Sequence, residues 1–120
     1  MRKESSTNFH NEQHLRQNCS MALSISLVSG RWKPTILWYL QQGALRYMDL
    51  RDSIPDSTER MLIKHLQELE KDGLIIRQKQ PGVKGKVVVY SLSEMGMSMI
   101  PILAQLEKWG SNYRALKEVI

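Results

Sequence analysis

The pattern of apolar residues changes abruptly at Gly73. Before this glycine, three leucines recur at steps of four and three residues, as on one face of a helix: Leu62, Leu66 and Leu69. After it, residues 74–80 and 86–92 are β-prone, and residues 81–85 between them are rich in Gly and Pro. This order predicts a helix over about residues 57–72 that is followed directly by a β-hairpin.

A short helix precedes this one, with three apolar residues on one side: Tyr47, Leu50 and Ile54. Asp56 or Ser57 is expected to cap the next helix, and Asp56 with Glu59 has capping-box spacing. Two helices across such a break make a helix-turn-helix over about residues 46–72, and the hairpin at about 75–92 is its wing. The predicted fold class is mainly α with a small β-hairpin (α+β): a winged helix-turn-helix with N- and C-terminal dimerisation helices.

The second helix of this motif is predicted to be the DNA-recognition helix. Its side opposite the leucines carries polar and cationic residues: Arg60, Lys64, Gln67 and Lys71. A helix fits the major groove, so Arg60 and Lys64 are expected to bond guanine O6 and N7. The helix N-terminus, at Ser57 and Thr58, offers backbone N–H groups to a phosphate. The hairpin adds cations for phosphate or minor-groove contacts: Arg77, Lys79, Lys84 and Lys86.

The charge balance agrees with a polyanionic partner without proving one. The chain has a net charge of +5 and a pI near 9.5. Glutamates lower the charge around the recognition helix: Glu59, Glu68 and Glu70. Two alternatives therefore stay open: the cations form only a solvated face, or the fold is a winged-helix protein–protein interaction module with an acidic partner.

The sequence contains no constellation typical of an enzyme. Cys19 has no identifiable histidine–acid partnership, and the hairpin glycines lack the strand-to-helix context of a phosphate-binding loop. His10 and His14 have the spacing of a two-histidine metal motif but no obvious third ligand. We therefore expect no catalytic activity, no cofactor and no bound metal.

The C-terminal segment, about residues 93–120, is predicted to be a dimerisation helix. Apolar residues alternate steps of four and three along it: Met95, Met99, Ile102, Leu106, Trp109, Tyr113, Leu116 and Ile120. This is the seam of a coiled-coil-like helix, and Met99 to Leu116 are expected to form a homodimer interface. The alternative is a monomer that packs this row on its own core. Pro101 predicts a kink or short break near residues 97–101.

The N-terminal region is predicted to hold a flexible polar arm, residues 1–14, before the single domain of residues 15–120. A first helix over about residues 15–28 completes the dimer interface. The single cysteine, the polar start and the lack of a long apolar run predict a cytoplasmic protein that does not enter a membrane.

Residues 19–113 resemble the HxlR-type winged helix-turn-helix transcription regulators. The matching residues are Cys19, Gly30-Arg31-Trp32-Lys33, Ile36-Leu37, residues 46–51, Ile54, Ser57, Leu62, residues 66–77, residues 90–93, Gly96 and Trp109. The resemblance implies a bacterial homodimer that binds an inverted-repeat operator, with one recognition helix in each half-site. Two departures from the family pattern are Ser20, where the family usually has proline, and Val89, where it often has glutamate.

Some members of that family sense oxidants or electrophiles through the N-terminal cysteine, which Cys19 matches. A position near the start of a helix, just after a capping Asn18, favours the reactive thiolate. Oxidation would then join Cys19 to Cys19 of the partner or to a small thiol. The resemblance thus implies a small-molecule or oxidant effector, and the alternative is an inert cysteine buried in the dimer interface.

Overall fold

The computed structural model describes residues 7–119, in two compact units that divide after Gly30. The first unit holds two helices, α1 (Thr7–Asn18) and α2 (Ser20–Val28). The expectation of a flexible arm over residues 1–14 and one helix over 15–28 is therefore wrong in its described part, because residues 7–14 are helical. Residues 1–6 lie outside the described residues.

The break between these helices falls at Cys19. The side chain of Asn18 closes the last turn of α1, since its Nδ2 donates to the carbonyl oxygen of His14 at 2.9 Å. Asn18 thus belongs to the end of α1 and does not cap α2. The backbone of Cys19 is extended (φ −136°, ψ 109°), and its carbonyl oxygen accepts from Leu23 N at 3.0 Å, which makes Cys19 itself the N-cap residue of α2.

The second unit confirms the predicted winged helix-turn-helix. Its elements in chain order are α3 (Lys33–Leu40), β1 (Leu45–Arg46), α4 (Tyr47–Ser53), α5 (Glu59–Lys71), β2 (Ile75–Gly82), β3 (Gly85–Leu92) and α6 (Glu94–Val119). Helices α4 and α5 form the helix-turn-helix, and β2 and β3 form the wing. The wing is larger than expected, because β1 adds a third antiparallel strand beside β3 and gives the order β1-β3-β2.

The core of this unit collects apolar side chains from α3, α4, α5, the start of β2 and α6. Its buried members are Ile36, Leu37, Leu40, Leu50, Ile54, Leu62, Leu66, Leu69, Leu74, Ile75 and Leu103. The three leucines of α5 are among them, as their spacing predicted. Because these leucines point inward, the opposite side of α5 must face outward.

Two local expectations about helix ends and turns are wrong, and a third is wrong in part. Helix α5 is capped by Thr58, whose Oγ1 accepts from Met61 N at 3.1 Å, and not by Asp56 or Ser57. The hairpin strands pair as far as Gly82 and Gly85, so the turn has two residues where a longer one was expected. Helix α6 is continuous through Pro101, so the chain has no break near residues 97–101, because a proline removes only one backbone donor and this one is exposed.

Gly96 brings the first turn of α6 against the core. A Cβ at this position would overlap the carbonyl oxygen of Leu74, so only glycine fits without movement. Ser93 secures the same junction, because its Oγ donates to the carbonyl oxygen of Gly73 at 2.6 Å and accepts from Gly96 N at 3.0 Å. Among the helices within residues 7–119, none is long and apolar enough to cross a membrane.

Candidate nucleic-acid interface

The outer side of α5 presents a row of cationic and polar side chains to solvent. Arg60, Lys64, Gln67 and Lys71 are all exposed. Within residues 7–119 the three cations of this row take part in no ion pair. Their charges are therefore available to an external anion.

Cations from neighbouring helices pair with two of the three glutamates of α5. Arg51 on α4 binds Glu59, with Nη1 to Oε1 at 3.2 Å, and Lys33 on α3 binds Glu68, with Nζ to Oε1 at 3.5 Å. Both side chains of the Arg51–Glu59 pair are exposed by more than a third, so this pair contributes little to stability, on the order of 0–1 kcal/mol. Both pairs also change the field around α5, since each pair offsets a negative charge beside the outer row.

The inner side of α5 also holds a buried histidine. His65 follows Leu62 by three residues and lies with the leucines in the core. Burial, and secondly the charge of Lys33, lower the pKa of His65, so the ring is neutral near pH 7. Its spacing of three residues from Leu62 is the signal in the sequence for this inner position.

The wing turns three of its predicted DNA-contacting cations to one side. Residues directly opposite each other on β2 and β3 point to the same face of the sheet, and the pairs include Arg77 with Tyr90 and Lys79 with Val88. Pro81 pairs with Lys86, which places that lysine on the same face. Lys84 lies in the exposed two-residue turn at the tip.

A concavity of about 630 Å³ lies between α5 and this face of the wing. Its lining residues are Tyr47, Glu59, Ile63, Gln67, Glu70, Arg77, Val88 and Tyr90. Arg77 thus shares the concavity with Glu70, the third glutamate of the helix. The buried Tyr47 Oη has no hydrogen-bond partner among the described residues, and burial raises the pKa of this phenol. The structure therefore brings Arg77 and Gln67 to one concavity, with Lys79 and Lys86 farther along the same wing face.

One residue of this concavity that the sequence pattern does not single out is Ile63, which is 44% exposed. It follows Arg60 by three residues and precedes Gln67 by four, so it lies on the same side of α5 as both. An apolar residue that close to a cationic row was a signal in the sequence. Ile63 lies outside the four-three-four spacing of Arg60, Lys64, Gln67 and Lys71, so that spacing alone does not reveal it.

The start of α5 retains free donors despite its cap. The Oγ1 of Thr58 accepts from Met61 N, and Ser57 Oγ donates to the carbonyl oxygen of Thr58 at 3.2 Å. The N–H groups of Glu59 and Arg60 precede the first backbone bond of the helix, Leu62 N to Thr58 O at 2.9 Å. Those N–H groups and the positive end of the helix dipole suit a phosphate oxygen.

The apolar row of α6 is exposed along most of its length. Six of its residues are half or more exposed: Met95, Ile102, Leu106, Trp109, Tyr113 and Leu116. Met99 is half-buried, and Ile120 lies outside the described residues. The rings of Trp109 and Tyr113 stack at 5.4 Å between centroids. The monomer alternative requires this row to pack on the core of its own unit. The structure instead leaves most of the row exposed.

Cys19 is exposed at the start of α2, where its thiol is accessible to a reagent in solution. Within residues 7–119 no group of three or more His, Cys, Asp or Glu side chains could hold a metal ion. His14, half of the predicted two-histidine motif, has its Nδ1 at 3.3 Å from Asn18 Nδ2.

Comparison with known proteins matches the fold to one family and to proteins named as regulators. Residues 27–118 match the family model described as HxlR-like helix-turn-helix. An uncharacterized HTH-type transcriptional regulator of Methanothermobacter thermautotrophicus is 41% identical over 100 residues, which cover 83% of this chain and 76% of that protein.

Solved structures of a redox regulator and of a transcriptional regulator have the same fold. HypR in its reduced form superposes with a TM-score of 0.76 at 32% identity, over 84% of this chain and 99% of that one. The reduced form of the transcriptional regulator YodB from Bacillus subtilis gives a TM-score of 0.71 at 27% identity, over 79% of this chain and 92% of that one.

Proposed function

Since the chain belongs to the HxlR-like helix-turn-helix family, we propose that it binds an inverted-repeat operator in double-stranded DNA as a homodimer. Its class follows from the family: it is a DNA-binding transcriptional regulator and not an enzyme. Each protomer places α5 in the major groove of one half-site, and the wing lies along the flanking backbone. The two-fold axis spaces the half-sites by about 34 Å, one turn of DNA.

The observation that carries this proposal is the unpaired cationic row of α5 beside the basic face of the wing. Arg60 and Lys64 lie near the N-terminus of α5, where side chains reach base edges. Arg77, Lys79, Lys84 and Lys86 belong to the wing, and they contact phosphates. Specificity thus resides in α5, and much of the affinity resides in the wing.

The test measures binding to DNA from upstream of the gene by fluorescence anisotropy at two salt concentrations. Arg60→Ala with Lys64→Ala removes base contacts worth about 1–3 kcal/mol each, so the preference over unrelated DNA falls at least tenfold. Lys84→Ala with Lys86→Ala removes four lysines from the dimer, so it weakens binding to all sequences and lowers the salt slope by about four. Arg114→Ala removes an exposed charge from α6 and serves as the control.

Unchanged preference in a dimeric Arg60–Lys64 double variant contradicts the recognition-helix assignment. Absence of DNA binding by the wild type even at low salt favours the protein–protein interaction module instead. The two outcomes can be told apart. The first is a wild-type protein that binds DNA with a preference that does not depend on Arg60 and Lys64, and the second is a wild-type protein that binds no DNA at all.

The homodimer rests on the exposed row of α6. Leu106→Glu or Trp109→Glu places a charge in the seam, so we expect monomers in size-exclusion light scattering and steeply weaker operator binding. Ala104→Glu is the matched control, because Ala104 is exposed on the other side of the same helix. A dimer that survives both seam substitutions contradicts this interface.

Redox control through Cys19 is supported by its exposure and by the likeness to HypR, which is described as a redox regulator. Treatment with diamide removes two electrons and two protons from two thiols and leaves one disulfide. The thiols are Cys19 from each protomer, or Cys19 and a small thiol. We expect a mass shift that dithiothreitol reverses and a change in operator affinity. Both effects are absent in Cys19→Ser if the proposal holds, and a Cys19→Ser protein that still responds contradicts it.

A further inference from the structure

We propose that Ile63 reads the C5-methyl group of a thymine, next to an adenine read by Gln67. The inference rests on the proposed function, because it names a base that the recognition helix selects. It makes Ile63 a specificity-determining residue. The C5-methyl group that it contacts is the only apolar group on the major-groove edge of a base pair.

The position of Ile63 is that of a base-reading residue. It lies one helical turn before Gln67 and directly before Lys64, on the outer half of α5. The other branched apolar residues of this helix are the buried leucines, and Ile63 remains 44% exposed at the concavity facing the wing. When an apolar group of the ligand covers an aliphatic side chain that was exposed to water on this side, the free energy of the complex is lowered.

The spacing of Ile63 and Gln67 matches one or two base pairs. Side chains four residues apart on a helix have Cβ atoms about 5–6 Å apart, and successive base pairs are about 3.4 Å apart along the DNA axis. A glutamine amide can pair with adenine N6 and N7, and a thymine methyl group lies on the same groove edge. The two side chains together therefore select an A·T pair or a step that contains adenine and thymine.

Charge argues for an apolar contact and not a phosphate contact at this point. Glu59 and Glu70 line the same concavity as Ile63. Arg51 pairs with Glu59, but Glu70 has no ion pair within residues 7–119. The Glu70 carboxylate repels phosphate oxygens, so the α5 side of the concavity is less suited to the DNA backbone than the wing side, which carries Arg77. A base edge that presents a methyl group is compatible with both the glutamates and the isoleucine.

The competing explanation is that Ile63 only packs against Val88 and Tyr90, which line the same concavity, and stabilises the wing. The experiment separates the two by changing the DNA and not the protein. Duplexes are first selected from a random library by the protein itself. Each thymine of the selected half-site is then replaced, one at a time, by deoxyuridine, which lacks only the methyl group.

We expect one particular deoxyuridine substitution, made in one half-site only, to weaken wild-type binding about fourfold, the effect of leaving one methyl group in water. Ile63→Ala binds the thymine and deoxyuridine duplexes equally. Met61→Ala, an exposed apolar residue on the other flank of α5, keeps the wild-type response and is the control. Ile63→Val retains the branched shape, gives an intermediate response and serves if Ile63→Ala fails to fold.

The inference is overturned if the selected half-site has no thymine, or if no single substitution distinguishes wild type from the Ile63 variants. It is also overturned if the response disappears in Met61→Ala and persists in Ile63→Ala. A library from which no duplex is enriched overturns the proposed function itself, which is a different outcome. An enriched site with a methyl effect confined to Ile63 supports both.

Discussion

Two glycines of α6 allow the packing between this helix and the core to be measured with a single type of substitution. An alanine Cβ at Gly96 overlaps the carbonyl oxygen of Leu74, whereas nothing lies within 4 Å of a Cβ at Gly110. Replacement of a helical glycine by alanine stabilises a helix by about 1 kcal/mol in both places. At Gly96 the overlap must be relieved by moving the first turn of α6, which costs about 1–3 kcal/mol.

The helix-propensity gain is common to both variants, so their difference isolates the overlap. We expect Gly110→Ala to be more stable than Gly96→Ala by about 1–3 kcal/mol in urea denaturation. Protomer concentration must be equal, because dimer formation also raises apparent stability. Light scattering checks that Gly110→Ala leaves the oligomeric state unchanged. Equal stability of the two variants would refute the close approach of α6 to Leu74.

Two further predictions concern α5. The lowered pKa of His65 means that the folded protein resists its protonation, so the free energy of unfolding is highest above the unfolded value of about 6.5 and falls as pH decreases through the folded pKa. Urea denaturation between pH 7.5 and 5.5 should therefore show a loss of stability that is smaller in His65→Gln; an identical loss in both proteins rules out His65. Leu66→Ala should lower the free energy of unfolding by about 2–5 kcal/mol because Leu66 is buried in the core. Gln67→Ala, at the exposed neighbouring position, should change the free energy of unfolding by less than about 0.5 kcal/mol. Similar effects of the two substitutions would contradict the orientation of α5.

The second unit could be predicted from sequence because its signals repeat over many residues. The leucines of α5 occupy one face over two turns, and Gly73 ends the helix with φ +80°, a conformation that glycine adopts without strain. The β-prone runs after it differ in period from the helix before. These repeated signals agree with one another, so the residues of each segment are enough to predict the order of helix and hairpin.

The elements that were missed lack such repetition. Strand β1 has two residues, too few for any alternation, and it exists because β3 offers partners at Val89 and Tyr90. Helix α1 has only two large apolar residues in its sequence, Phe9 and Leu15, so no repeated apolar pattern marks it. The cap of α5 depends on which of several adjacent polar residues has the extended backbone, and the structure selects Thr58 over Asp56 and Ser57. Each of these choices depends on tertiary contacts or single dihedral angles.

The candidate interface was predictable in its residues but not in its charge. From sequence alone, the glutamates of α5 weaken its cationic row. In the structure, Lys33 is only 5% exposed and reaches Glu68 from the start of α3, and Arg51 reaches Glu59 from α4. These contacts join residues 35 and 8 positions apart, so their pairing could not be read from spacing along one helix.

The two ion pairs also suggest why a helix with three glutamates is suited to DNA. A carboxylate beside the outer row is unfavourable near phosphate unless a cation accompanies it. Arg51 and Lys33 supply those cations from the two helices that pack beside α5, so the same contacts that join the helices also remove negative charge from the surface. On the proposed function, in which α5 meets DNA, we expect Lys33 to raise DNA affinity through the field and position of α5 without contacting DNA. The buried, neutral His65 is compatible with this role, because no second positive charge forms beside Lys33 near pH 7.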